Sequence, residues 1–265
     1  MIKLSCILPS YKDPLLHKTI NSLLENSGLK EDELEIIVGL DSYWPKQPIR
    51  NDKRIKIIHS THNLGMRDNI NQCVAIAQGE FIARFDEHCM VAKDWDKTVI
   101  DGQFEDNWIM TLSRHELNPE TWTVMSERPK NFSKLIICED LAKKKFAGVT
   151  WHSRNKEMAN VEIAETMAMQ GSMWIMKKAW WDKVIGRLQT EGYGPLYQDS
   201  VEMVMKTWQA GGNLMLNQKT WYAHKHRTFK RTHNINGDES QKSFDYAIAT
   251  WKEYYESTIR PRFGV

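Results

Sequence analysis

Asp86 and His88, within the stretch GEFIARFDEHCMVAKDW (residues 79–95), are the first residues whose types and spacing could do chemistry. They are separated by one residue, so in an extended segment both side chains point the same way. A hard carboxylate oxygen and an imidazole nitrogen facing one spot suit Mn2+, Mg2+ or Zn2+. Taken alone, the same pair reads equally as a charged loop after a core strand. A second pair, Asp199 and Glu202 in DSVEMVMKTWQAGG, falls one helical turn apart. That spacing lets both acids face one pocket, where one of them could touch a bound molecule. The alternative there is an N-cap followed by a solvated first-turn acid.

The elements that must position these groups are legible around them. Residues 81–85 read as a buried strand, which leaves Asp86 at the carboxyl end, where open α/β sheets place their ligands. Upstream, strands are expected at 2–8 (ended by Pro9-Ser10), at 34–40 (ended by Asp41) and at 54–59. Helices opening at Asp13-Pro14 and spanning 66–77 alternate with them. This alternation predicts an α/β fold with a mostly parallel central sheet flanked by helices and right-handed crossovers. Neither GxGxxG nor a P-loop is present, so neither a standard Rossmann dehydrogenase nor a P-loop NTPase is indicated. A helix is expected at 94–104. Across 105–164 the pattern weakens to short strands at 108–112, 134–137 and 148–152, and this part reads as an insertion within one domain. The run Lys143-Lys144-Lys145 reads as a solvated face. A strand at 169–176, helices at 179–186 and 199–210, short strands at 214–216 and 220–223 and a closing amphipathic helix at 244–259 complete the expectation.

At 265 residues, with 41% hydrophobic and 10% aromatic content, the chain can fill a normal core. Its net charge of +2 is too small to imply a nucleic-acid partner by itself. The four cysteines are scattered, with no CxxC pair, which fits reduced thiols in a cytoplasmic protein. The chain opens directly into strand residues without a signal-peptide pattern, and no apolar run approaches a membrane span. A soluble, cytoplasmic protein is the expectation.

The segments LSCILPSYKDPLLHKTINSLLENS, EIIVGLDS and NLGMRDNINQCVAIAQGEFIARFDEHC together resemble family-2-type GT-A glycosyltransferases. In its motifs the chain looks closest to the catalytic domain of polypeptide N-acetylgalactosaminyltransferases. The likeness continues through MQGSMWIM, DSVEMVMKTWQAGG, the segment His224 to Arg227 and ATWKEYYES, and is weakest across 105–165. It implies a single GT-A (nucleotide-diphospho-sugar transferase) domain over 1–265, with a nucleotide-binding half at 1–104 and an acceptor and metal half at 165–265. It further implies that Asp86, His88 and His224 hold a divalent metal, Mn2+ first and Mg2+ as the alternative. Such a metal neutralises the charge of a leaving nucleotide diphosphate. By the same resemblance Asp41 contacts the base or ribose of the donor, and Pro9 and Ser10 line the nucleotide pocket through backbone. Arg67 lies one residue from a basic position used for the donor, and Arg227 pairs with phosphate oxygens, for which its planar fork is suited. Asp41 could instead cap a loop, and His226 is the alternative to His224. The implied function is metal-dependent transfer of a hexosyl or N-acetylhexosaminyl group from a nucleotide-diphosphate sugar, UDP before GDP, to a cytoplasmic acceptor.

Two departures from the family pattern matter. The eukaryotic members carry a membrane anchor and a carboxyl-terminal lectin domain that this sequence does not show, which removes support for a peptide acceptor. Aligned on Trp208-Gln209-Ala210-Gly211-Gly212, the position of an inverting enzyme's Asp base is Ser200, and Asp199 stands in place of the Glu. Stereochemistry therefore stays open, leaning to retention. The acceptor candidates are a glycan, a protein, or a hydroxymethylated base in DNA, as in phage-type DNA glycosyltransferases. For DNA there is the basic cluster Lys225, Arg227, Lys230 and Arg231, interleaved with Phe229 and His233 and followed by Arg260 and Arg262. The competing reading folds that segment over the donor diphosphate. A nucleotidyltransferase is a rival class, but it would show a Gly-rich basic loop where this chain has Pro9-Ser10-Tyr11-Lys12. A catalytically silent binding protein that keeps the fold is the third possibility.

Overall fold

A computed structural model describes residues 1–138, 144–226 and 237–265. The first half runs β1 (Leu4–Ser10), α1 (Leu16–Glu25), β2 (Leu34–Asp41), β3 (Ile55–Ser60), α2 (Met66–Ile76), β4 (Phe81–Phe85), β5 (Cys89–Val91) and α3 (Trp95–Ile100). Then come β6 (Trp108–Asn118), β7 (Thr123–Val124), β8 (Ser133–Cys138), β9 (Lys145–Thr150), α4 (His152–Glu157), β10 (Ile163–Glu165) and β11 (Met173–Lys177). The chain closes with α5 (Lys178–Trp180), α6 (Asp199–Gln209), β12 (Asn213–His224) and α7 (Gly237–Tyr254), with π-helical turns after α5 and after α7.

β1 and β2 are buried along their whole lengths, the pattern of parallel strands covered on both faces. The sheet alternates sides as the pleat requires: Leu4, Cys6, Leu8, Ile36 and Val38 pack with Leu16, Ile20 and Leu23 of α1. Ile7, Ile37 and Ile82 point the other way, against Ile70, Cys73 and Val74 of α2. Helices thus cover both faces of the parallel half, in the order β3-β2-β1-β4. β1 precedes both of its neighbours, and the chain goes one way to β2 and the other way to β4. The crevice between their carboxyl ends is therefore a topological switch point.

Beyond β4 the sheet becomes mixed. β11 runs antiparallel between β4 and β6, β12 runs parallel to β6, and β10 and β5 pair antiparallel with β12. The mostly parallel character expected of the sheet is carried by β3-β2-β1-β4 and by the pair β6-β12, with β11, β10 and β5 as its antiparallel strands. Several expected boundaries also shift. Residues 108–112 are only the start of β6, whose second part carries Arg114, His115 and Glu116 and so lost its apolar signal. Strand β11 begins at Met173, and Gln170 to Ser172 form a loop and turn before it. The two short strands expected at 214–216 and 220–223 are one strand, β12, broken only by a register shift between Asn217 and Trp221. Residues 148–152 lie at the end of β9 and the start of α4. The helix expected at 94–104 stops at Ile100. All four cysteines are unpaired. Among the described residues no helix is long and apolar enough to cross a membrane.

Candidate active site

The site is built by three strand ends. Asp86 follows β4, and its backbone N–H donates to Ser172 O at 2.8 Å, which ties it to the approach to β11. The turn Asp86-Glu87-His88 leads into β5, and β5 pairs antiparallel with the end of β12 so that His224 lies opposite Cys89. Lys225 N–H closes the ladder on His88 O at 3.1 Å. This pairing brings together residues that are far apart in the chain. His224 Nε2 lies 3.1 Å from Asp86 Oδ2, and His88 Nε2 lies 3.6 Å from the same oxygen. One ligand atom from each of Asp86, His88 and His224 lies within 4.8 Å of the other two.

Buried partners surround this triad. Asp13, at the entry to α1, receives a 2.8 Å hydrogen bond from Nδ1 of His88, which turns Nε2 of that ring inward. Its other oxygen, Oδ1, accepts from Leu15 N–H at 2.8 Å and fixes the carboxylate against the helix start. Arg84 of β4, nearly fully buried, donates to Asp86 Oδ1 at 2.6 Å. Glu87 accepts from Tyr11 N–H at 3.0 and 3.1 Å and pins the loop after β1. The charges follow from this cage. Burial opposes ionisation of Asp86, but Arg84 and the two imidazoles outweigh it and hold the carboxyl well below the usual range. Burial also opposes charging of His88, yet Asp13 and Asp86 raise it to about 9. For His224 burial wins over Asp86 and lowers it to about 4, so its imidazole is neutral at neutral pH. One hard oxygen and two imidazole nitrogens converging on one point, the first imidazole backed by a carboxylate, fit a divalent cation. Nδ1 of His224 is buried without a hydrogen-bonding partner, so that ring lacks the backing His88 has.

The other expected site residues fall into three groups. Pro9 and Ser10 end β1 and, with Asp41, Arg84 and Asp86, line a narrow crevice at the switch point. Ser10 Oγ is hydrogen-bonded to the Tyr43 hydroxyl. Asp41 is turned into the protein. Its carboxylate accepts from Leu64 N–H (2.7 Å), Gly65 N–H (2.9 Å) and Asn63 Nδ2 (3.0 Å), so it holds the turn that opens α2. Asp199 starts α6 and lies against Gly171, where an added Cβ would come within 2.9 Å of Asp199 Oδ2. That oxygen is buried with no hydrogen-bonding partner.

Two expectations are corrected. Arg67 does not face the crevice: it is fully buried, donating from Nε to Gln189 O (2.7 Å), from Nη1 to Tyr197 O (2.9 Å) and from Nη2 to Glu202. Its guanidinium also stacks 4.2 Å from the Tyr193 ring centroid. Glu202 does not share a pocket with Asp199. It points to Arg67, to Lys206 Nζ at 2.7 Å and to Gln189 N–H at 3.2 Å. The physical reason is one of charge: a buried guanidinium and a buried carboxylate find each other rather than remain unpaired. His226 is not one of the three converging residues: it is exposed, its ring lies edge-on to that of His224 with centroids 5.1 Å apart, and it accepts a 3.3 Å hydrogen bond from Arg114. Arg227, Phe229, Lys230, Arg231 and His233 lie outside the described residues. Sequence reasoning missed Asp13, Arg84 and Glu87. The signal for Arg84 was present, because a cation inside the apolar run FIARF needs an anion within reach.

A mixed sheet whose parallel half ends in a carboxylate–imidazole cluster at the switch point is the GT-A architecture of sugar-transferring enzymes. The sequence matches the glycosyl transferase family 2 over residues 5–185, and the chain belongs to that family. No curated protein matches it by sequence. Among solved structures it is similar to GalNAc-T7, solved with UDP, GalNAc and Mn2+, at a TM-score of 0.73 and 14% identity. That likeness covers 98% of this chain and 50% of the other. It is also similar to residues 1–349 of TarS from S. aureus in complex with UDP-GlcNAc, at a TM-score of 0.58 and 16% identity, covering 90% of this chain and 63% of that one. A second structure of the same TarS fragment gives a TM-score of 0.59 at 14% identity, over 97% of this chain and 75% of that one. The chain thus spans about half the length of GalNAc-T7.

Proposed function

We propose that the chain transfers a sugar from a UDP-sugar in a reaction that depends on a divalent metal, with residues 1–104 receiving the donor and 165–265 the acceptor. The observation that carries this reading is the convergence of Asp86 Oδ2, His88 Nε2 and His224 Nε2 at the carboxyl end of β4. These three side chains would hold the cation, Mn2+ before Mg2+, which when bound neutralises the charge of the leaving diphosphate. GalNAc-T7 and TarS, solved with UDP and with UDP-GlcNAc, support the choice of nucleotide.

The chain's own residues prepare that chemistry. Asp13 fixes the ring of His88 so that Nε2 faces inward, and Arg84 keeps Asp86 ionised. The Pro9-Ser10 strand end and the turn held by Asp41 give the donor crevice its wall. Asp199 is the acid we assign to accept a hydrogen bond at Oδ2 from a sugar or acceptor hydroxyl, since that oxygen is buried and has no protein partner.

The test is hydrolysis of a panel of UDP-sugars, read as UDP release with Mn2+ and with chelator. UDP release that requires Mn2+ and is lost in Asp86→Ala, with the fold intact by circular dichroism, is the expected result. Release by Asp86→Ala at the wild-type rate overturns the assignment. In a separate incubation with UTP and a sugar 1-phosphate, release of pyrophosphate with formation of the UDP-sugar would make the protein a nucleotidyltransferase.

A further inference from the structure

On the far side of the triad from the donor crevice lies a second cavity of about 370 Å3. Its wall is built by the strands that deliver His224. In the parallel pairing of β6 with β12, Arg114 lies beside Tyr222, and the Tyr222 hydroxyl meets Ser172 Oγ at 3.0 Å, just behind Asp86. Lys130 is paired with Arg114 across an antiparallel bridge, its N–H donating to Arg114 O at 2.7 Å, so the two side chains emerge next to each other. His226, two residues past His224, completes the wall. The opposite rim is Gln170-Gly171, and Gly171 is the residue that abuts the Asp199 carboxylate.

The chemistry of the lining is one-sided. Two permanent cations face the cavity, and no carboxylate lines it among the described residues. Among the described residues Arg114 makes no ion pair, and its side chain donates a hydrogen bond to His226 at 3.3 Å. Lys130 is shared with Glu116 at 2.6 Å, an exposed pair that a better anion can displace. A cleft for neutral sugars offers acids to accept hydroxyl hydrogens and aromatic faces for stacking. Among the described residues this one shows no acid in its lining, Tyr222 is buried at 1% exposure, and the His226 ring is engaged by Arg114. An arginine fork beside an ammonium is the usual solution for a phosphate or a carboxylate.

We propose that this cavity is the acceptor site and that it takes a sugar or polyol unit carrying an oxyanion, phosphate or carboxylate, beside the hydroxyl that receives the sugar. The assignment rests on the glycosyltransferase reading for the word acceptor, and on Arg114 and Lys130 for the anion. The volume suits one such unit, and Gly171, on the rim, stands between it and the Asp199 carboxylate.

Calorimetric titration of the full chain with glucose 6-phosphate, glucuronate and glucose tests it, each with and without saturating Mn2+ and UDP. The expected result is that an anionic probe binds, that glucose binds about tenfold or more weakly, and that UDP does not displace the anion. The tighter of the two anionic probes identifies the oxyanion. Replacing Arg114→Gln and Lys130→Gln together removes that binding, while Arg114→Lys, which keeps the charge, retains most of it. Equal binding of glucose, unchanged affinity in the double variant, or displacement by UDP overturns the proposal. So does a short DNA duplex that binds through Arg114 more tightly than either probe, which would make the acceptor a nucleic acid. UDP-sugar hydrolysis by the wild type is read in parallel: hydrolysis without anion binding removes only this inference, and anion binding without hydrolysis removes only the donor reading.

Discussion

Asp13 shows how one carboxylate outside the triad can decide whether the triad works. Without it, the imidazole of His88 is free to turn, and either ring nitrogen can face Asp86. With it, Nδ1 is engaged at 2.8 Å and Nε2 is presented inward. Asp13→Asn keeps the size of the side chain and its acceptor for Leu15 but removes the charge. Affinity for Mn2+ is expected to fall by about 10–100-fold with little change in melting temperature, the usual scale for an outer-shell carboxylate. Unchanged affinity by calorimetry would remove Asp13 from the site. Arg67 and Glu202 call for a different expectation. Both are buried and each is the other's main counter-charge, so Glu202→Gln should destabilise the fold by about 3–5 kcal/mol in denaturant unfolding. A loss under about 1 kcal/mol would show that the Gln189 and Tyr197 carbonyls and the Tyr193 ring carry the Arg67 charge without the pair. The Asp86-x-His88 pair was legible because it stands just past a readable strand end, although the two residues lie in a turn and not in the extended segment expected, and Asp13 orients the imidazole. The direction of Arg67 and Glu202 was not, because it is settled by a partner 135 residues away.

At the scale of elements, the sequence carried the parallel half well. β2 begins at the expected Leu34 and β4 is the expected 81–85, since both are apolar runs bounded by turns. It carried β6 and β12 poorly for the reason that makes them functional. The distal end of β6 leaves the core with Arg114, His115 and Glu116, and β12, though buried at its end, is interrupted by the polar Asn217 to Thr220 and closes on His224, so both lose the hydrophobic pattern by which strands are read. The loop that leads to Asp199 is likewise invisible to periodicity. It includes Tyr197 and Gln198, both left-handed at φ 69° and 54°, and is moored by the bonds from Arg67 to Gln189 and Tyr197. Gly65 sets its approach to α2: its φ is +80°, and an added Cβ would lie 2.4 Å from Pro195 Cβ. Gly65→Ala is expected to destabilise by more than about 1 kcal/mol, because the backbone region disfavours alanine and the contact forces the Pro195 loop away. The same variant should lower UDP release, since Asp41 holds this turn against the donor crevice. Wild-type stability in unfolding experiments would mean that the loop and α2 are not coupled there.

At the scale of the molecule, one sheet spans both halves of the chain, and the triad sits where they meet: Asp86 from the parallel half, His224 from the mixed half and His88 from the turn between. A cation held there would bind the folded chain and not the unfolded one. At 100 times its dissociation constant, Mn2+ should therefore add about 2.7 kcal/mol of stability. For a chain of this size that is a rise in melting temperature of roughly 5–10 °C. The rise should vanish on adding chelator.

The central claim is that Asp86, His88 and His224 form one divalent-metal site. Titration of the protein with Mn2+, followed by the electron paramagnetic resonance signal of the free ion, measures it without reference to any substrate. The account predicts one tight site per chain in the wild type, lost in each of Asp86→Ala, His88→Ala and His224→Ala. One site of undiminished affinity in all three variants, with their folds intact, would contradict it.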